Sequence, residues 1–277
     1  MTAILMSTYN GERYLAEQLD SVIAQTDTEW RLYIRDDGST DGTVSILHAY
    51  AEKDSRLTVI TDGENLGACR SFERLLAQSG KADYYAFADQ DDVWLPDKLS
   101  ICLSSIRKEE TASPGKPVLV HTDLKVVDRQ LQPIAPSFWQ YGGIVPDILD
   151  NNIRFIAICN SVTGCAMLMN HAARECALPF LPNVFMHDAW IALAVLKAGG
   201  RIISIPQATL LYRQHTDNVC GAQQYRFRLS TLREKHRLAK RSYQTGHPLV
   251  FHNSLHFLWW KMCYFFVLHS YRLRHNA

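Results

Sequence analysis

Over its first hundred residues the chain alternates short apolar runs with longer stretches whose apolar positions recur at helical spacing. Residues 2–7, 30–35, 57–61 and 84–88 are dominated by apolar side chains, as expected of strands buried on both faces of a parallel sheet. Between them, 14–23, 44–51 and 68–78 have the periodicity of helices. Strands alternating with helices of this length predict βαβ units, right-handed crossovers and a mainly parallel sheet. Beyond Lys116 the rhythm changes. Residues 117–122 and 124–127 predict strands with no crossover helix between them, so a mixed sheet is expected. Residues 133–153, rich in Pro, Gly, Asn and aromatics, predict a long functional loop. A strand at 163–169, a helix at 187–196 closed by Gly199-Gly200, and strands at 201–205 and 209–213 follow. After Gly221 come two helical stretches, the first basic and the second aromatic.

At 277 residues the chain has length for one large domain with an appendage. The net charge of +1 conceals an asymmetry. Residues 221–277 hold ten Lys and Arg against the single acid Glu234, a balance of +9, which leaves −8 for residues 1–220. Residues 227–241 predict a basic amphipathic helix, and 255–268 an aromatic one. The second covers about 21 Å at 1.5 Å per residue, too short for a hydrocarbon core of about 30 Å. Residues 226–277 are therefore expected to lie on an anionic membrane surface, on the inner face of the cytoplasmic membrane. The alternative is a helix pair that packs on the catalytic domain or on a second subunit, so a homo-oligomer stays open. The seven cysteines are scattered without CxxC spacing, which indicates neither a disulfide framework nor a zinc site and fits a reducing, cytosolic setting. Met1–Met6 lacks the basic start of a signal sequence and reads as a strand. No nucleic-acid-binding motif accompanies the basic tail.

Candidate chemistry begins where 84–88 ends, in Asp89-Gln90-Asp91-Asp92. In open α/β sheets ligands bind at the carboxyl edge of the strands. Carboxylates crowded there repel, and a divalent cation is the usual way to hold them. The alternative is an acidic turn capping the helix that Pro96 begins. Asp36-Asp37-Gly38-Ser39-Thr40-Asp41-Gly42-Thr43 supplies turn formers and a helix cap. Asp188 opens a helix, either as a functional acid or as a plain N-cap. The Asp89–Val93 segment also fits the nucleophile motif of haloacid-dehalogenase-type phosphatases, although those enzymes start with that strand and here three βα units precede it. A non-catalytic sugar-nucleotide-binding module is a further alternative. No Gly-x-Gly-x-x-Gly marks a dehydrogenase.

Taken together and in order, Ser7-Thr8-Tyr9-Asn10, Asp36 to Thr43, Asn65-Leu66-Gly67, Asp89-Gln90-Asp91-Asp92 and His187-Asp188 resemble family-2 glycosyltransferases. Within that family the chain is similar to rhamnosyltransferase-like members from bacterial surface-polysaccharide clusters. The resemblance covers about residues 1–220 and implies a GT-A fold, an α/β domain with a mixed, mostly parallel sheet flanked by helices. Residues 1–99 would form the nucleotide half, 100–220 the acceptor half, and 221–277 a helical appendage. It implies an inverting, metal-dependent, non-processive transfer of a sugar such as rhamnose from a dTDP- or UDP-linked donor to a glycan acceptor, lipid-linked, in O-antigen or capsule synthesis. The metal, Mg²⁺ or Mn²⁺, would sit on Asp91 and Asp89, with His215 as an extra ligand. Asp36 and Asp37 would accept from the imide nitrogen of the base. Thr8, Tyr9, Asn10, Glu12, Asn65, Arg70, Gln90 and Arg213 would line the donor site. Asp188 would be the catalytic base, tuned or capped by His187. The Gln-x-x-Arg-Trp of processive members is missing.

Overall fold

A computed structural model describes residues 1–216, 218, 221, 222 and 249–275. The basic stretch at 227–241 lies outside the described residues. Among those described, nine strands form one sheet: β1 (Thr2–Thr8), β2 (Trp30–Asp36), β3 (Leu57–Thr61), β4 (Tyr84–Ala88), β5 (Val93–Trp94), β6 (Val118–Val127), β7 (Pro133–Ala135), β8 (Met167–Asn170) and β9 (Arg201–Arg213). Their order is β3-β2-β1-β4-β8-β6-β9-β5, with β7 paired to β6. The ladder is parallel from β3 to β4. β8 then runs antiparallel to both β4 and β6, while β6 and β9 are parallel to each other. β1, β2, β3, β4, β6 and β9 thus point the same way and share one carboxyl edge.

The two-residue period of a strand divides the core between the faces. Ala3, Leu5, Tyr85 and Phe87 pack on one side with helices Ala68–Gln78 and His187–Lys197. Ile4, Met6, Ala86 and Ala88 pack on the other with helices Leu15–Ile23 and Lys98–Ala112. Every central strand is apolar on both faces, which is why the first hundred residues read so clearly.

The two strands expected at 117–122 and 124–127 are one, β6. Asp123 looks like a break, but a register shift absorbs it, and its carboxylate is satisfied by Leu124 N, Trp139 N and Ser137 Oγ at 2.8, 3.1 and 2.5 Å. β9 likewise joins 201–205 to 209–213. Its partners skip from Ile205 to Ala208, so Pro206, which has no N–H to give, falls in the irregularity. Residues 133–153 are a chain of short elements, β7 and helices Phe138–Gly142, Pro146–Leu149 and Ile153–Ile158, because Trp139, Leu149 and Phe155 are buried at intervals too short for an open loop. The strand expected at 163–169 starts as a 3₁₀ turn, Gly164–Ala166, and only then becomes β8.

The aromatic stretch 255–268 lies within a helix, Ser254–His275. Phe257, Tyr264 and Leu268 on one side of it enter the main core. No helix among the described residues is long and apolar enough to cross a membrane. The six described cysteines are free thiols.

One charged side chain is fully buried in β2. Arg35 is ion-paired with Asp37 and with Asp62 at 2.6 Å, and donates to the Glu64 carbonyl at 2.8 Å. Hydrogen bonding to Arg35 holds the Asp62 carboxyl down to about 2. Removing one member of a buried pair strands the other without a partner. Arg35→Ala is therefore expected to lose about 3–5 kcal/mol of stability, read as a lower urea midpoint with unchanged slope.

Candidate active site

Strand register explains which residues meet at the carboxyl edge. Thr8 is level with Asp36, and Met6 with Ala88, so Thr8 falls beside Gln90 two residues further along. Gln90 clasps the Tyr9 backbone through both ends of its amide, at 2.9 and 3.0 Å. Asn10, in the left-handed region at φ +48°, donates its N–H to Ser39 Oγ and accepts from Thr40 N, each at 2.8 Å. Glu12 accepts from Gly42 N at 2.6 Å. The loops after β1 and β2 are thereby sewn into one surface, with Tyr9 exposed upon it.

Asp36 accepts four hydrogen bonds, from Thr8 Oγ1, Ser39 Oγ, Gly38 N and Ser39 N. A carboxylate has about four lone-pair sites, so Asp36 builds this loop and has no capacity left for a base. Asp37 accepts from Arg35 and from Leu66 N and Gly67 N, both at 2.8 Å, which leaves it one site. Asn65 sits against Gly38, its Cβ 3.8 Å from where a Cβ would stand there. Two expected donor contacts are already engaged within the protein. Arg70 binds Glu73 and the carbonyls of Leu181 and Pro182 at 2.5, 2.8 and 2.7 Å, pinning the chain ahead of helix His187–Lys197. Arg213 binds the Asp91 and Arg129 carbonyls at 2.7 and 2.9 Å and also Glu17, while stacking 4.5 Å over Tyr14. It is a staple of the acidic turn. The antiparallel register of β5 and β9, Val93 with Leu211, places Arg213 level with Asp91.

That turn collects the site's acids. His215 Nε2 lies 2.7 Å from Asp91 Oδ2, and Asn218 Nδ2 donates to the same oxygen at 3.2 Å. Asp89, Asp92 and Cys165 gather their ligand-type atoms within 4.8 Å of one another. Cys165 was not foreseen from the sequence. Continuing the antiparallel register of β4 and β8, Tyr84 with Asn170, brings position 165 level with position 89, and no linear motif announces such a partner. Burial, then the nearby acids, push its thiol well up, so it is a neutral hydrogen-bond donor to the carboxylates. Burial, then Asp91 and Asp188, push Asp89 up to about 7. Asp92 is buried and its Oδ1 accepts Arg213 N at 3.1 Å, but its Oδ2 has no hydrogen-bond partner. Oxygen-rich, mutually repelling donors with one orphaned buried oxygen beside them suit a hard divalent cation. Asp89 and Asp92 bring such oxygens together here beside the Cys165 thiol, while Asp91 is turned to His215 and Asn218.

Asp188 faces this cluster from the first turn of helix His187–Lys197. Its carboxylate accepts Ala189 N at 2.5 Å and Gly164 N at 3.2 Å, and desolvation pushes it up to about 6. His187 neither caps nor touches it. Its imidazole is packed between Phe72 and Phe87, at 4.2 and 5.2 Å, without a hydrogen-bond partner, and burial pulls it down to about 3. Gly164 is required there because a Cβ would stand 2.5 Å from His187 Nε2, in a ring that cannot move aside. A depression of about 480 Å³ lies at the opposite edge by Asp83 and Asn170. Its polar groups are mostly paired to one another, as Met1 N with Asp83, and Glu110 with Tyr84 and Asn170.

A parallel carboxyl edge that joins the interlocked loops after β1 and β2, an Asp-x-Asp turn and a raised acid on a facing helix goes with a nucleotide-diphospho-sugar transferase of the GT-A fold. Residues 3–176 match glycosyl transferase family 2, and the chain belongs to that family. It is 36% identical over 215 residues, 77% of this chain and 79% of the other, to a Bacillus subtilis protein named as teichuronic acid biosynthesis glycosyltransferase TuaG. It is 39% identical over 98 residues, 34% of each chain, to the dTDP-rhamnosyl transferase RfbG of Shigella flexneri. The structure of S. aureus TarS 1–349 with UDP-GlcNAc matches at TM-score 0.61 and 18% identity, over 87% of this chain and 66% of that one, a likeness of fold. The chain is thus a glycosyltransferase, and the phosphatase alternative falls away.

A base must be ionised to accept a proton, and Asp188 ionises as pH rises through about 6. Turnover is expected to climb with pH through that window, and a bound cation would move the limb lower, never higher. Asp188→Asn should cut kcat by at least about 10² and abolish the limb. An unchanged rate with only a lower Tm would reduce Asp188 to a helix cap.

Proposed function

We propose that this protein is an inverting, non-processive glycosyltransferase of cell-surface polysaccharide synthesis, using a dTDP- or UDP-linked sugar. The observation that carries the reading is the juxtaposition of Asp89, Asp91 and His215 with a desolvated Asp188. Asp188 takes the proton of the acceptor hydroxyl as that oxygen bonds to the anomeric carbon. The bond from that carbon to the diphosphate oxygen breaks on the opposite face, and its electron pair leaves with the nucleoside diphosphate. Asp37, through its one unused acceptor site, takes the imide N–H common to thymine and uracil. Tyr9, exposed at the end of β1, offers its ring to the nucleoside, and Asn65 closes the pocket over Gly38. A divalent cation held by Asp89, Asp91 and His215 would neutralise the diphosphate as it departs.

Rhamnose is the favoured sugar, supported by the likeness to the Shigella rhamnosyl transferase. The acceptor is a lipid-linked glycan and the protein sits peripherally on the inner face of the cytoplasmic membrane, supported by the basic, aromatic tail. The domain division follows: residues 1–220 catalyse and 221–277 attach.

A donor screen with purified protein tests this, following release of nucleotide from dTDP-rhamnose, UDP-glucose, UDP-galactose and GDP-mannose. A thymidine or uridine donor should be turned over, and GDP-mannose should not. Separately, Mg²⁺ or Mn²⁺ should raise the Tm of the wild type by relieving carboxylate repulsion, and Asp91→Ala should lose both that rise and turnover. Full activity in EDTA, or equal Tm shifts in both proteins, would remove the cation from the mechanism.

A further inference from the structure

Helix Ser254–His275 is apolar on two opposite sides, and only one of them is used. Phe257, Tyr264 and Leu268, spaced at 7 and 4, form the inner side and are buried. Tyr264 packs 5.5 Å from Phe155, Tyr271 donates to Asp147 at 3.2 Å, and Arg272 donates to the Gly143 carbonyl at 2.9 Å. The helix is bolted to the segment 138–158. Turned about half a revolution away are Leu255, Trp259, Met262 and Phe266, spaced at 4, 3 and 4, one continuous stripe at 3.6 residues per turn. They are exposed by 75, 59, 51 and 73%. Leu258, Phe265 and Leu273 widen it. Large side chains so exposed and so aligned mark an interaction surface.

We propose that this outer stripe is the surface by which the protein docks on an anionic lipid bilayer, a step that rests on the peripheral-membrane reading above and assigns the face. Charge selects the occupant. Residues 249–275 contain no Asp or Glu, and residues 221–277 carry +9. A second copy docked on the same face would set two such tails against each other, whereas anionic headgroups attract them. Trp and Phe at the boundary of headgroup and acyl chain suit the depth such a helix reaches. The inner side gives the docking a purpose. The segment it grips leads within six residues from Ile158 to Gly164, whose N–H holds Asp188, so the docked face is linked to the site through a short stretch of chain.

Flotation of the full-length protein with phosphatidylcholine vesicles, with and without phosphatidylglycerol, tests the proposal. Trp259→Glu/Phe266→Glu is compared with the wild type, using nucleotide release to a soluble acceptor and circular dichroism as controls. Wild type should float with the anionic vesicles, and the double variant should lose at least about tenfold in partitioning with both controls unchanged. Equal flotation of the two proteins would overturn the assignment of the face and leave the peripheral reading to other residues. No flotation of the wild type would overturn both, leaving the transferase reading to its own assay. A concentration-dependent dimer that the double variant dissolves would assign the face to a second copy and overturn the proposal.

Discussion

The site exists because four carboxylates are held closer together than they would choose. Asp89, Asp91 and Asp92 follow one strand end, and Asp188 is brought to them from a distant helix. Each is attached to a structure that is apolar on both faces and costly to deform. Burial, and after it the charges of Asp91 and Asp188, pushes Asp89 up to about 7, while burial raises Asp188 to about 6. Around them stand the compensations: the Cys165 thiol, the Asn218 amide, the Gly164 and Ala189 amides, and the Arg213 staple that fixes the turn from behind.

The reversal of direction at β8 makes this gathering possible. A fifth parallel strand beside β4 would have carried its own carboxyl edge there, with another crossover helix above it. An antiparallel strand instead arrives from that edge, so the residues just before it, Gly164 and Cys165, are delivered to the end of β4. The segment enters β8 through the 3₁₀ turn Gly164–Ala166.

Much of the fold was legible because β1 and β4 are buried on both faces and their hydrophobic runs leave little choice of period. The places of the Asp89–Asp92 turn and of Asp188 in the fold were legible as well, being polar residues set at the end of a strand and the start of a helix. Cys165, Gly164 and Asn218 were not, because their partners come through register and not through spacing along the chain. The partners of Arg70 and Arg213 were hidden for a related reason. A lone arginine near a phosphate-type site looks like a ligand in sequence, but here both guanidiniums are spent on carbonyls and carboxylates of their own protein. Residues 133–153 misled by composition, since loop-forming Pro and Gly are interleaved with anchors such as Trp139 and Leu149 whose burial shows only in three dimensions.

His187 and Asp188 show how one environment can set two adjacent groups in opposite directions. Burial disfavours whichever form is charged, so it lowers the imidazole to about 3 and raises the carboxyl to about 6. The two effects support each other. An imidazolium beside Asp188 would favour the carboxylate and draw its pKa down. Neutral and packed between Phe72 and Phe87, the ring adds no such field. It also presses against Gly164, the residue whose N–H steadies the carboxylate, so the apolar packing on one side of the helix fixes the polar geometry on the other. The Asp188 carboxylate is thus kept desolvated and oriented by a neighbour that is itself uncharged.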